Sequence, residues 1–166
     1  MARDDQILIN FAFFMVRKMS IRKSILLSVA AVILVALAGC GNKIDYSLPD
    51  NPIAFVSGEY VNPDDPDDGY MSIEYKDRIY IPYGVPDGKL GGTDVGECLG
   101  YIVQDGEVVE SSRVFTLSED PDYNFLVDLN AEGFMDVPMF YRALDTKGQD
   151  IDIPGYIYDQ GYEVWK

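Results

Sequence analysis

The sequence predicts an all-β domain, a small antiparallel sandwich or barrel of short strands, behind an N-terminal signal segment and a flexible tether. Three observations predict it. Beyond Cys40, apolar residues recur in short alternating runs, and clusters of Gly, Pro, Asp and Asn separate those runs, as strands and turns require. No window beyond Cys40 holds a helical period over ten or more residues. Cys98 is the only thiol after Cys40, so no intrachain disulfide is open to the domain and its core must hold it alone. The roughly 126 residues after Cys40 are enough for one such core.

Taken in order, residues 53–61 place Phe55, Val56, Tyr60 and Val61 around Gly58, and residues 62–69 form a turn-rich loop of Pro, Asp and Gly. Residues 70–75 alternate, with Met71, Ile73 and Tyr75 on one face and Ser72 and Glu74 on the other. Lys76 and Asp77 turn the chain into a strand over 78–83, where Ile79 and Ile81 share a face. Residues 84–96 hold five glycines and read as a long loop; a short turn of helix is allowed only at 94–99. Strands at 98–103 and 107–110 flank Gln104-Asp105-Gly106 as a hairpin. Residues 113–117 are rich in strand formers and 118–122 turn the chain. Tyr123, Phe125, Val127 and Leu129 then line one strand face. Pro138 demotes 134–144 to an edge or bent strand. Residues 151–158 and 162–165 close the chain as further strands.

The absences narrow the chemistry. The chain has no histidine, which removes the usual Ser-His-Asp and Cys-His sets and the commonest zinc and copper ligand. It has no Gly-x-x-x-x-Gly-Lys phosphate loop. No activated nucleophile or general base stands out, so no enzyme is expected; a hydrolase using paired carboxylates ranks third among the functional readings. Cys98, beside an apolar run, is expected to pack as a small hydrophobe.

Two polar or aromatic groups are candidate sites. Asp64, Asp65, Asp67 and Asp68 crowd one loop before Gly69 and offer oxygens to a hard cation such as calcium, although Pro66 and Tyr75 break the EF-hand pattern. The same residues also make an ordinary solvated turn. Tyr80, Tyr83, Tyr101, Tyr156, Tyr158 and Trp165 are open to a stacking surface for a sugar or peptide, or to half-buried strand positions, where tyrosine is common.

The N-terminal part carries the most specific signal. Arg17, Lys18, Arg22 and Lys23 precede an apolar run over 25–38 that only Ser28 interrupts, and Leu37-Ala38-Gly39-Cys40 ends it. A basic region, an apolar stretch too short to span a bilayer comfortably, and small residues before a cleavage point describe a secretory signal. The four-residue ending resembles the lipobox of bacterial lipoproteins. That resemblance implies recognition of Leu37, Ala38 and Gly39 by a lipoprotein signal peptidase, cleavage before Cys40, a diacylglycerol thioether on Cys40 and a further acyl chain, such as palmitate, on its amine. Two chains hold a protein stably where one holds it marginally. Translation is expected to start at Met19 or Met15, because Asp4 and Asp5 are acidic where a signal is basic. The expected organisation is therefore 1–39 as upstream extension and signal peptide, 40–51 as lipidated cysteine and tether, and 52–166 as the β-domain. Residues 95–143, with Gly96-Glu97-Cys98-Leu99-Gly100 at the entry and Phe140-Tyr141-Arg142 near the end, resemble stretches of small uncharacterised lipoproteins of Gram-positive bacteria.

Five of the 13 basic and two of the 28 acidic residues precede Cys40, which leaves 8 basic against 26 acidic residues, a net charge of −18. Such a field keeps an exposed domain soluble, repels nucleic acid and anionic lipid headgroups, and favours cationic partners. The expected function is that of an outward-facing lipoprotein, anchored by Cys40 to the bacterial cell membrane, or to an outer membrane where there are two. Its β-domain is expected to bind an envelope protein, a peptide or a glycan. The alternative is a cation- or small-ligand-binding module using loop 62–69.

Overall fold

A computed structural model describes residues 43–133 and 137–166. Leu37, Ala38, Gly39 and Cys40, with the rest of the expected signal, lie outside the described residues. The domain is all-β, as expected. In chain order the strands are β1 (Ile53–Val56), β2 (Gly58–Val61), β3 (Gly69–Tyr75), β4 (Arg78–Pro86), β5 (Val95–Gln104), β6 (Glu107–Val108), β7 (Ser112–Leu117), β8 (Phe125–Asn130), β9 (Met139–Ala143) and β10 (Ile157–Asp159). Among the described residues the only helical pieces are 3₁₀ turns at Leu144–Thr146 and Glu163–Trp165, and no helix is long and apolar enough to cross a membrane.

The strands join in the order β1-β5-β7-β8-β9-β4-β3-β2. Only Ser57 separates β1 from β2, yet β1 pairs with β5 at one end of this order and β2 with β3 at the other. The sheet therefore nearly closes into a barrel. The sheet is mixed, not purely antiparallel, because β1 runs parallel to β5 with Ile53 opposite Gly100 and Val56 opposite Val103. Gly100 permits this pairing: a Cβ there would run into the backbone of Ile53.

Each turn has a local cause. Lys76 and Asp77 both take left-handed backbone angles (φ 51° and 60°), which makes the β3–β4 connection the two-residue hairpin that matches strand twist. Asp105 and Gly106 do the same between β5 and β6 (φ 54° and 82°). Asp77 is exposed and pays the left-handed penalty of a residue with a Cβ. Asp77→Gly is expected to stabilise the domain by about 0.5–1 kcal/mol, seen as a rise of a few degrees in Tm by thermal circular dichroism.

Two layers of core follow from the closure. Phe55, Ile73, Tyr80, Leu99, Ile102, Val114, Leu126, Tyr141 and Ala143 form one buried cluster to which β1, β3, β4, β5, β7, β8 and β9 all contribute, as residues inside a closed sheet must. A second cluster, including Tyr83, Phe115, Phe125, Val127 and Phe140, covers the outside of half the barrel. Ile44, Tyr46, Leu90, Ile151, Tyr156 and Trp165 close over it from the flanking segments.

Several expectations are corrected here. The sheet runs through Gly84–Pro86 and starts again at Val95, so the loop expected over 84–96 shrinks to 87–94 and no helical turn forms at 94–99. β9 is central, between β8 and β4, because Pro138 sits one residue before it and costs no ladder hydrogen bond. Tyr123 is not in β8; it sits in the preceding turn at φ 55°. Residues 151–156 and 162–165 are not strands. The described part of the expected tether is docked: Tyr46 meets Phe115 edge-on at 6.0 Å, and its carbonyl accepts a 3.0 Å hydrogen bond from Arg113 Nε. Ile44 also packs against the outer cluster.

Candidate functional site

The acidic loop spends much of its hydrogen-bonding capacity on its own shape. Asn62 Oδ1 accepts from the amide of Asp64 at 3.1 Å, and Asn62 Nδ2 donates to Asp68 Oδ2 at 3.0 Å. Asp65 Oδ1 accepts from the amide of Asp67 at 3.1 Å. Asp64, Asp65 and Asp67 are exposed, and Asp68 is half-buried. Among the described residues no group of three or more acidic or thiol side chains converges as a metal site would need.

The structure does not gather the candidate aromatic residues into one surface. Tyr80 lies inside the barrel, fully buried, and donates from its hydroxyl to the Tyr123 carbonyl at 2.6 Å. Tyr83 is buried in the outer cluster, edge-on to Phe125 at 5.5 Å and to Trp165 at 5.8 Å. Tyr156 donates to the Asp94 carbonyl at 3.0 Å and packs on Phe140, while Trp165 Nε1 donates to the Pro82 carbonyl at 2.8 Å. Tyr101 is half-exposed on β5 and Tyr158 is exposed on β10, which pairs with β4; β7, β8 and β9 stand between those strands. Of these candidates, Tyr80 and Tyr83 are core residues, and the Tyr80 and Tyr156 hydroxyls are spent on backbone carbonyls.

That use has a pH signature. Burial pushes the Tyr80 and Tyr156 hydroxyls up to about 12, and pushes Tyr141 higher still. A free phenol ionises near 10, so above that pH the unfolded chain releases protons that the fold retains. Stability is therefore whole below pH about 10 and falls as pH rises through about 12. Tm should stay level to pH about 9.5 and then drop, with the last rise in phenolate absorbance at 295 nm coinciding with unfolding. Complete tyrosine ionisation with the fold intact would contradict this.

Other polar groups are built into the frame. Arg78 grips Asp145 with Nε at 3.0 Å and Nη2 at 2.8 Å, and donates from Nη1 to the carbonyls of Asp122 and Tyr123. Asp120, buried, accepts from the Phe125 amide at 2.6 Å, and burial pushes its pKa up. Cys98 is half-buried against the outer cluster, and burial pushes its thiol away from the thiolate. Inside β7, Ser112 Oγ accepts from the Ile102 amide at 3.1 Å and donates to Asp128 Oδ1 at 2.6 Å. These two side chains border a cavity of about 90 Å³ that also touches Pro138 and Met139. That volume suits a few waters, not an organic ligand.

The larger opening lies at the seam where the barrel fails to close. A groove of about 390 Å³ is lined by Ala54, Phe55, Val56, Ser57, Gly58, Ser72 and Glu74. Gly58 opposite Ser72 begins the β2–β3 ladder, and the next rung on the same rows would set Val56 against Glu74. Val56 is instead in register with Val103, so the ladder stops and the two strands part. Val56 is 67% exposed, an unusual figure for a strand valine. Sequence reasoning missed this site because the strand break at Ser57 shows no proline and no charge; only the pairing partners on either side create it.

Comparison of the chain with family models, with curated proteins and with solved structures finds no match.

Proposed function

We propose that this chain is a bacterial lipoprotein, held by acyl chains on Cys40 to the outer surface of the cell membrane, whose β-barrel domain binds an envelope protein, a peptide or a glycan and does not catalyse. The observation that carries the reading is the unbroken sequence of basic patch, apolar run and Leu37-Ala38-Gly39-Cys40. The domain is consistent with a binding role: Tyr80, Tyr83 and the buried Asp120 serve the core, and the seam groove is bordered by strand edges and not by a converging set of acids and bases.

The test is expression of the full chain in a bacterial host fed an alkyne-bearing palmitate. The wild type should take up the label and sediment with membranes. Cys40→Ala should lose the label and fail to be cut at Gly39, since lipid transfer precedes cleavage in the lipoprotein pathway that the lipobox implies. A Cys40→Ala protein that runs at the mature size and stays on the membrane would overturn the reading. Crosslinking in the native envelope, followed by mass spectrometry, then identifies what the domain holds.

A further inference from the structure

We infer that the seam between β1 and β3 is a strand-addition site that takes an extended, basic peptide segment. This rests on the binding role proposed above and names the surface and the partner chemistry for it.

The backbone directions come first. The Ser57 amide donates to the Val103 carbonyl at 2.8 Å, toward β5. In a strand the backbone groups of alternate residues point to opposite sides, so Phe55 and Ile53 also address β5 while Ala54 and Val56 address the seam. On β3 the same alternation applies. Tyr75 closes the hairpin opposite Arg78 and Ser72 pairs with Gly58, so the backbone of Glu74 faces the seam. Ala54 and Val56 on one side and Glu74 on the other thus border one groove; β1 is in register with β5 and Glu74 with β4, and no register joins β1 to β3. Three residues of strand edge span about 10 Å, enough to pair a segment of three or four residues.

Natural sheets protect such edges with Lys, Pro, a bulge or a covering segment. This edge carries Ile53, Ala54 and Val56, all exposed, and neither Pro nor Lys. Peptides that add as strands gain affinity from main-chain hydrogen bonds and specificity from alternate side chains. Here the outer face, which Val56, Glu74 and Ile79 share, offers two kinds of contact. Val56 and Ile79, 67% and 40% exposed, offer aliphatic surface, and Ile79 sits opposite Glu74 in the β3–β4 ladder. Glu74 is the one charged side chain that lines the groove, and it is exposed. The net −18 of the chain after Cys40 steers the same sign of partner toward it. A segment that alternates basic and aliphatic residues fits both faces of the groove, with its Lys beside Glu74 on the outer face and its aliphatic residues toward Phe55 on the inner one.

The test uses the full chain in detergent micelles and a fluorescent hexapeptide of alternating Lys and Val, read by anisotropy. Two control peptides are the Glu–Val version and a Lys–Val version N-methylated at alternate amides, which keeps the charge and removes strand pairing. The Lys–Val peptide is expected to bind at least tenfold more tightly than either control. Glu74→Lys should reverse the preference between the Lys and Glu peptides. Val56→Pro, which removes an amide pointing into the seam, should weaken binding at least tenfold. Should that variant fold poorly, the N-methylated peptide still decides. Equal binding of the methylated and unmethylated peptides would mean charge attraction alone and would overturn the inference. So would absence of binding, or an edge already taken by a second copy, visible as a dimer by sedimentation that peptide does not dissociate. The two proposals fail separately. An envelope crosslink mapped away from residues 54–74 sinks the seam and keeps the lipoprotein, whereas peptide binding by a chain that takes no lipid does the reverse.

Discussion

Gly100→Val is expected to cost the domain about 3–4 kcal/mol and to open the barrel at β1. The cause is the close approach of β5 to β1. A Cβ at Gly100 would overlap the backbone oxygen, carbon and nitrogen of Ile53. Backbone atoms cannot rotate aside as the end of a flexible side chain can, so β1 must lift away. Lifting β1 withdraws Phe55, which is 1% exposed and belongs to the cluster inside the barrel. Burying such a side chain is worth about 2–3 kcal/mol, and overpacking a tight contact adds about 1–3 kcal/mol, with partial relaxation offsetting some of the sum. Urea unfolding followed by circular dichroism measures the loss, and hydrogen exchange locates it: the Ser57 amide, bonded to the Val103 carbonyl, should lose protection first. Gly155→Ala is the control, because a Cβ there meets nothing within 4 Å, and it should move stability by less than about 0.5 kcal/mol. A Gly100→Val midpoint within that margin would show that β1 is not a stave of the barrel.

The same close approach marks where sequence reasoning stops. The β3–β4 and β5–β6 hairpins are local objects, and alternation plus a two-residue turn at Lys76-Asp77 or Asp105-Gly106 was enough to find them. The all-β class follows from many such objects. The partner of β1 is different. Gly100 is 47 positions from Ile53 in the chain, and nothing in the pattern of either strand names the other. Without that pairing the closure, the seam and its groove are invisible. The candidate tyrosines failed for a related reason. A strand half-exposed to solvent would bury one of each adjacent pair, but β4 buries Tyr80 inside the barrel and Ile81 and Tyr83 outside it, under the chain's own flanking segments. The run Ile79-Tyr80-Ile81-Pro82-Tyr83 held that signal, since continuous apolar character marks a strand covered on both faces. Residues 43–51 misled in the opposite direction. Their Asp, Ser, Pro and Asn read as a linker, while Ile44 and Tyr46, two apolar residues at strand spacing, supply the contacts that dock it.

Trp165→Ala should be the second large effect, about 3 kcal/mol, and it should depend on Arg142. Arg142 is a buried cation, 8% exposed, and neither ion pair of the described residues, Arg78–Asp145 or Lys166–Glu163, includes it. Its Nε donates to Thr146 Oγ1 at 2.8 Å and its Nη2 to the Thr146 carbonyl at 2.9 Å. Its charge is met by two ring faces, with Trp165 at 4.9 Å and Tyr83 at 5.3 Å. Trp165 also fastens the end of the chain, through its indole hydrogen bond to Pro82 and through the clusters shared with Tyr83 and Val164. Truncating it removes aromatic area, a hydrogen bond and part of the cation's shelter, which together place the cost near the lower end of the usual range for aromatic truncation, about 3–5 kcal/mol. If the cation matters, Arg142→Met should itself change stability little, because an apolar side chain of similar volume needs no charge partner. The Trp165→Ala penalty should then shrink by about 1–2 kcal/mol in the Arg142→Met background, the coupling expected of a desolvated cation–ring pair. Additive losses across that cycle would mean that Trp165 gives Arg142 no shelter and that Thr146 and Tyr83 hold the cation without it. Trp165 is the one tryptophan of the chain, so its fluorescence in the wild type reports release of the C-terminal segment directly. Fluorescence that shifts before the circular dichroism changes would show that this segment leaves the barrel as a separate unit.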